Sequence, residues 1–202
     1  WFEPYTKAEV ALSKPSYEKE KHSAIKLKSQ VRILAIIGNS LGIDTKHDCY
    51  LLERLSNCSV TLLSETNRQE INEQLWDSRG WDILFFAGHS NSDRRKKTGC
   101  IQINQQDSLT TKELKYALTK AVANGLKIAI FNSCDGLGLA RELADLKIPQ
   151  IIVMREPVPD KVAQEFLKYF LTTYAKGESF YLSVREARSR LQGLEDHYPC
   201  AS

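Results

Sequence analysis

FFAGHS, at residues 85–90, and IFNSCDG, at residues 130–136, are two apolar runs that each end in a polar turn. The first turn carries His89 and the second carries Cys134. If the two runs are neighbouring parallel strands, both side chains emerge at the same carboxyl edge of one sheet. A thiol and an imidazole at one edge are the components of a cysteine nucleophile with its acid–base partner. The two turns therefore predict an α/β fold and the position of its site.

The rest of the chain alternates apolar runs with amphipathic stretches. Strands are predicted at residues 31–37, 59–63, 83–87, 127–131 and 150–154, with helices between them and two longer helices at the end. Helices of about ten residues between strands are typical of βαβ crossovers and of a mainly parallel sheet covered on both faces. The pattern predicts a three-layer α/β/α domain.

Three local features lead to further predictions. Alternating polarity at residues 100–104 predicts a short exposed strand. The stretch at 108–113 predicts the start of a helix that runs to about residue 124. Two aromatic side chains near the third strand, Trp76 and Trp81, are predicted to belong to the core.

The length of the chain, 202 residues, suits one domain with a full hydrophobic core. Residues 1–30 are of mixed polarity and rich in lysine, and they are predicted to be a linker or edge segment from a longer protein. Residues 31–202 are predicted to form the domain.

Composition argues against several classes of partner and cofactor. The 28 basic and 25 acidic residues are nearly balanced, which does not favour nucleic acid, and no apolar stretch is long enough to span a bilayer. We therefore expect this domain to contact neither nucleic acid nor a membrane. Five cysteines without a CxxC pair argue against a disulfide framework and a thiolate zinc site, and they favour a reducing, cytoplasmic location. No phosphate-binding loop or calcium loop is present, so no cofactor and no metal are expected.

Position along the chain gives Cys134 features of a nucleophile. It stands just before a predicted helix, where backbone N–H groups and the helix dipole favour a thiolate. The same N–H groups can stabilise the oxyanion of a tetrahedral intermediate. The alternative is that Cys134 is a small buried residue and His89 an ordinary polar residue at a strand end. Small residues in both turns, including Gly88 and Ser133, favour the catalytic interpretation.

The two turns, in this order and at this spacing, resemble the active-site motifs of caspase-like cysteine peptidases of clan CD. Within them the chain is most similar to the CHAT domain, a bacterial and cyanobacterial module found beside tetratricopeptide repeats. The resemblance runs from about residue 31 to the end and includes REPVPDKVAQEFLKYF and SVREARSRL. It implies a caspase-like fold, a protein or peptide substrate, and regulation by adjoining domains.

The resemblance also implies roles for individual residues. Cys134 would attack the scissile carbonyl and His89 would protonate the leaving amine, with no third carboxylate needed. The oxyanion would be held by the backbone N–H groups of Cys134 and of Ser90, which stands where family members commonly have glycine. Three neighbours, Gly88, Asn132 and Asp135, are assigned no firm role.

Substrate specificity in this fold comes from the loops after the first and fifth strands. In the first loop, Asp44 and Asp48 could bind a basic side chain of the residue before the cut (P1). In the later loop, Met154, Arg155 and Glu156 could line the pocket or pair with the substrate. The alternative for Asp44 and Asp48 is that one of them caps the following helix.

Two other functions remain open at this stage. One is a catalytically inactive caspase-like module that acts in interaction or signalling. The other is a flavodoxin-like receiver or nucleotide-binding domain, although the chain lacks the acidic cluster after the first strand that a receiver needs.

Overall fold

The computed structural model describes residues 30–93, 98–133, 136–154, 158–199 and 201, so the predicted segment 1–30 lies outside the described residues apart from Gln30. The strands are β1 Val31–Ile37, β2 Cys58–Ser64, β3 Ile83–Ala87, β4 Ser90–Asp93, β5 Thr98–Gln102, β6 Ser108–Thr110, β7 Ile128–Asn132 and β8 Gln150–Val153. The helices are α1 Thr45–Glu53, α2 Arg68–Leu75, α3 Thr111–Ala123, α4 Gly136–Leu143, α5 Asp160–Ala175 and α6 Phe180–Leu191. Among the described residues, no helix has both the length and the apolar character needed to cross a bilayer.

Five strands form one parallel sheet in the order β2-β1-β3-β7-β8. The most apolar runs, β1, β3 and β7, occupy its interior, because a central parallel strand is buried on both faces. Alternate residues of each strand point to opposite faces, so each strand contributes to two hydrophobic cores. For example, Phe86 and Phe131 pack on one face, whereas Phe85 and Ile130 pack on the other.

Helices cover both faces of this sheet. The first core takes apolar side chains from α2, α3 and α4, and the second takes them from α1, α5 and α6. Phe170 of α5 is fully buried in the second core, where it contacts the rings of Phe166, Tyr174 and Phe180. The predicted three-layer α/β/α architecture is confirmed.

A second, antiparallel sheet, β4-β5-β6, corrects two of the local predictions. The strand predicted at 100–104 lies at Thr98–Gln102, and its Ile101 is buried because β5 is the middle strand and contacts α4. The helix predicted from residue 108 begins at Thr111, because Ser108–Thr110 pairs with β5 instead. Thr110 then caps α3 in a reciprocal capping box with Glu113.

The two tryptophans differ in burial. Trp81 is 2 % exposed, and its indole N–H donates to the Gln74 carbonyl at 2.7 Å. Trp76 is 48 % exposed, so the prediction that it belongs to the core is wrong. The buried face of α2 carries Ile71 and Leu75, and the next position is rotated by about 100° from Leu75, which directs Trp76 towards solvent.

Candidate active site

The carboxyl ends of β3 and β7 lie side by side at one edge of the parallel sheet. The register pairs Ala87 with Asn132, and His89 and Cys134 each follow their strand's paired residue by two positions. The Gly88 N–H donates to the Asn132 carbonyl oxygen at 3.4 Å. The turn that carries His89 therefore contacts the end of the strand that precedes Cys134. Cys134 itself lies outside the described residues.

The half-buried His89 ring is held by a backbone carbonyl. Its Nε2 lies 2.9 Å from the Leu41 carbonyl oxygen. Because a carbonyl oxygen only accepts, Nε2 carries the proton, which leaves Nδ1 as the acceptor nitrogen of the neutral ring. The His89 N–H donates to the Asn39 carbonyl at 3.0 Å, and the His89 carbonyl accepts from the Gln102 N–H at 2.9 Å. These bonds fix His89 between the loop after β1 and strand β5.

Two glycines allow the backbones at this edge to approach closely. Gly88 has a φ of +146°, and a Cβ there would lie 3.1 Å from the Asn39 carbonyl oxygen. A Cβ at Gly38 would lie 2.0 Å from the Gln102 carbonyl oxygen. A larger residue at either position would push the loop after β1 away from its neighbours.

A cavity opens beside the end of β7, next to α1 and the start of α5. Its lining consists of Ile43, Asp44, Asp48, Asn132, Ser133, Met154, Val158, Asp160 and Gln164. Asn132 and Ser133 are the two residues that precede Cys134 in the chain, so the cavity borders the segment of the predicted nucleophile. Three of the predicted substrate-binding residues, Asp44, Asp48 and Met154, are among the lining residues.

Asp48 is a buried residue of the cavity lining. The residue is 1 % exposed, and its Oδ2 accepts from the Asn132 side-chain amide at 3.2 Å. Burial raises the pKa of Asp48 from its usual 3.8 to about 7; the Asn132 hydrogen bond lowers the pKa, and the negative charges of Asp160 and Asp44 raise it. At neutral pH the side chain is therefore divided between its acid and carboxylate forms.

Two buried polar atoms at the cavity have no hydrogen-bond partner among the described residues. They are Asp48 Oδ1 and Ser133 Oγ. Buried polar atoms in folded proteins are nearly always paired, so an unpaired set at a cavity is a reason to look for a ligand. A carboxylate oxygen and a hydroxyl oxygen together suit a ligand that donates hydrogen bonds.

Asp44 and Asp160 lie at the exposed side of the cavity and connect two helices. The Asp44 N–H donates to Asp160 Oδ2 at 3.2 Å, and the Gln164 amide donates to the Asp44 carbonyl at 3.1 Å. Asp44 occupies the N-cap position of α1, but its side chain makes no capping bond within the described part of the chain. The Asp48 side chain bonds to Asn132 instead. The helix-capping alternative is therefore wrong for Asp48, which lies inside α1, whereas Asp44 stands at the N-cap position without a side-chain capping bond to the described residues.

The other predicted site residues divide into two groups. Ser90 is half-buried and opens β4, where it pairs with Ile101. Four residues lie outside the described ranges: Cys134, Asp135, Arg155 and Glu156. The roles assigned to these residues from the sequence stay predictions.

The sequence analysis missed three groups at this edge. The Leu41 carbonyl has no sequence signal, because every residue carries a backbone carbonyl. Asp160 stands where a later loop meets a helix, and an acidic residue there is typical of any helix start. Gln164 lies one turn further along α5 and is buried. Within the described residues, no group of three or more histidine, cysteine or acidic side chains is arranged to hold a metal ion.

Comparison with known proteins identifies the family. No curated protein matches the chain. Among solved structures, the crystal structure of the Drosophila initiator caspase Dronc is similar over 83 % of this chain and 78 % of that chain, with 13 % identity and a TM-score of 0.45. The family model described as the CHAT domain matches residues 27–199. Because this match includes every described strand and helix, the chain belongs to the CHAT domain family.

Proposed function

We propose that this CHAT domain is a cysteine endopeptidase in which Cys134 is the nucleophile and His89 its acid–base partner. The observation that carries the proposal is the position of His89 at the carboxyl end of β3, beside the strand that leads to Cys134. Its Nε2 is bonded to the Leu41 carbonyl, which leaves Nδ1 to exchange a proton with a thiol. A cysteine peptidase needs a histidine that is fixed in this way.

The reaction would proceed through a thioester. The Cys134 thiol gives its proton to His89, and the thiolate adds to the scissile carbonyl carbon. Backbone N–H groups of Ser90 and Cys134 hold the oxyanion that forms. His89 returns the proton to the leaving amine as the C–N bond breaks. A water molecule then gives a proton to His89 as its oxygen adds to the thioester carbonyl carbon. The C–S bond breaks, the acid product leaves, and His89 returns the proton to the sulfur, which restores the thiol.

The proposal includes a basic P1 residue. Its support is the cavity that borders the Cys134 segment, because three acidic residues, Asp44, Asp48 and Asp160, are among its lining residues. A guanidinium or ammonium group complements such a set in charge and in hydrogen-bond donors. Cleavage of a randomised peptide library should show arginine or lysine before the cut. A dominance of acidic or small apolar residues there would overturn this part of the proposal.

Three further elements complete the proposed function. The substrate is a protein or peptide, and activity is controlled by adjoining domains such as tetratricopeptide repeats. Because Cys134 must be a reduced thiol to act as the nucleophile, the proposal includes a reducing compartment such as the cytoplasm.

Covalent labelling of the full-length protein with an electrophilic arginyl peptide tests the catalytic pair. Labelling should disappear in Cys134→Ala and should slow in His89→Ala, because the thiolate fraction falls without the imidazole. Cys58→Ala is the matched control, since Cys58 is a half-buried free thiol at the start of the edge strand β2, which β1 and β3 separate from β7. Its labelling should equal that of the wild type.

An unlabelled Cys134 under every activating condition would contradict the proposal. That result would favour a caspase-like module that interacts with partners without catalysis. Equal labelling of the wild type and His89→Ala would contradict only the role of His89 and would leave Cys134 as the proposed nucleophile.

A further inference from the structure

Three acidic residues line one cavity and come from two elements that are distant in sequence. Asp44 and Asp48 belong to the start of α1, and Asp160 is the first residue of α5. The hydrogen bond from the Asp44 N–H to Asp160 Oδ2, at 3.2 Å, fixes the Asp160 carboxylate relative to the backbone at the start of α1. Asp48 is buried below them, with one oxygen on the Asn132 amide and the other unpaired among the described residues.

Two negative charges act on Asp48 and raise its pKa further after burial. From α1 they include Asp44, and from α5 they include Asp160. The end of β7 contributes the neutral side chains of Asn132 and Ser133. Cys49, the next residue of α1, has its thiol pKa raised, first by burial and then by Asp48.

The remaining elements add no described cation to this lining. The loop after β8 contributes Met154 and Val158, and its Arg155 and Glu156 lie outside the described residues. On α5, Gln164 is neutral, whereas Lys161 pairs with Glu165 at 3.1 Å. The described cavity therefore has excess negative charge and unpaired acceptors, a combination that a single cation with several N–H donors would satisfy.

We propose that this cavity binds one cationic side chain by proton exchange: the cation enters between Asp160 and Asp44, and Asp48 releases its proton to solvent as it pairs with the cation. The identification of the cation as the P1 side chain of a substrate rests on the proposed function. The exchange of a cation for a proton is inferred from the cavity and its lining alone. The net charge of the cavity does not change, since one positive charge enters as one proton leaves. Asp160, unseen from the sequence, becomes a determinant of specificity.

The consequence is that selection of basic residues depends on pH. Asp48 titrates near pH 7, so its ionised fraction rises about tenfold between about pH 6 and about pH 8. Affinity for a cation that pairs with ionised Asp48 should rise by the same factor over this interval. A neutral side chain of the same shape gains nothing from the ionisation. The ratio of the two affinities removes every effect of pH that acts equally on both peptides, and the loss of the remaining pH dependence in Asp48→Asn would assign it to Asp48.

Binding to the full-length Cys134→Ala protein tests the exchange without turnover. The probes are two short peptide amides that end in arginine or in its neutral isostere citrulline. Calorimetry in two buffers of different ionisation enthalpy should show proton release for the arginine peptide below about pH 7. The arginine-to-citrulline affinity ratio should rise about tenfold between about pH 6 and about pH 8.

Variants separate the two carboxylates. Asp48→Asn should remove both the proton release and the pH dependence. Asp160→Asn should weaken arginine binding by roughly tenfold, as for the loss of one charge-assisted hydrogen bond. It should keep a pH dependence but move it to lower pH, because the Asp160 charge is one of the causes that raise the pKa of Asp48. Glu53→Gln is the matched control, because Glu53 is an exposed acidic residue at the other end of α1. Its binding should equal that of the parent protein.

Several results would overturn the inference. They are the absence of arginine-peptide binding, an affinity ratio that does not change with pH, and Asp48→Asn behaving like Glu53→Gln. Displacement of the arginine peptide by Ca²⁺ or Mg²⁺, lost in Asp160→Asn, would indicate a metal site instead. Arginine binding with proton release in a protein whose Cys134 cannot be labelled would leave the inference standing while the proposed function fails. Labelling of Cys134 that does not depend on arginine in the probe would support the proposed peptidase but would contradict the binding of a cationic side chain.

Discussion

Replacement of Asp48 by asparagine should stabilise the fold at neutral and alkaline pH. Asp48 is 1 % exposed, and burial raises its pKa from 3.8 to about 7. Between these values the folded protein keeps a proton that the unfolded chain has already released, so the free energy of unfolding falls as the pH rises through this window and is constant above it. At about 1.4 kcal/mol for each pH unit, the cost of retaining Asp48 reaches about 4 kcal/mol above pH 7.

Asparagine has the size of aspartate but no charge to bury. Its side-chain oxygen can accept the bond that Asn132 donates to Asp48 Oδ2. Near about pH 4 the variant and the wild type should differ by less than about 1 kcal/mol, because the unfolded chain has released only about half of the Asp48 proton there and the folded protein still keeps it. Near about pH 8 the variant should be more stable by about 2 to 4 kcal/mol, where the lower figure allows for an unpaired amide N–H in the cavity.

Urea denaturation at several pH values measures this difference, with the fluorescence of the buried Trp81 as the signal. Glu53→Gln provides a control on the same helix and should follow the wild type at every pH. A stability difference of the same size at about pH 4 and about pH 8 would refute the reasoning, as would a loss of stability at the higher pH. A residue that costs stability where it is buried is common in functional sites, since binding a ligand then offsets the cost.

Three other substitutions test the packing around the site. Gly88→Ala should slow Cys134 labelling by roughly tenfold, because about 1–3 kcal/mol of strain falls on the His89 turn, whereas Gly193→Ala, with open space at its Cβ, should have no effect. Phe170→Ala should lower the free energy of unfolding by about 3–5 kcal/mol in urea denaturation, because Phe170 is fully buried, and Tyr116→Ala, 78 % exposed, should change it little. Thr110→Ala should cost about 1 kcal/mol through the lost cap of α3, and an unchanged midpoint of thermal unfolding would contradict the capping box.

Much of the fold is predictable from local pattern. The bounds of β1 and β3 agree with the predicted ranges 31–37 and 83–87, because apolar runs that are buried on both faces of a sheet are visible in the sequence. The antiparallel sheet was only partly predicted. Its strands are three to five residues long, and their pairing is decided by contacts with distant parts of the chain. Trp76 shows the same limit, since residue type alone did not indicate on which side of α2 it lies.

By itself, the sequence determined the order of the strands along the chain and the position of His89 after β3. It also led to the prediction that Asp44 and Asp48 bind a substrate side chain. Only the tertiary structure decided that Asp48 is buried, that a Leu41 carbonyl holds the imidazole, and that Asp160 joins a site 116 positions away from Asp44. The physical reason is that a sequence pattern reports on one element, whereas these properties depend on contacts between elements. Periodicity records which face of one element is buried, whereas the pKa of a carboxyl group and the partners of a ring nitrogen depend on what other elements bring next to it.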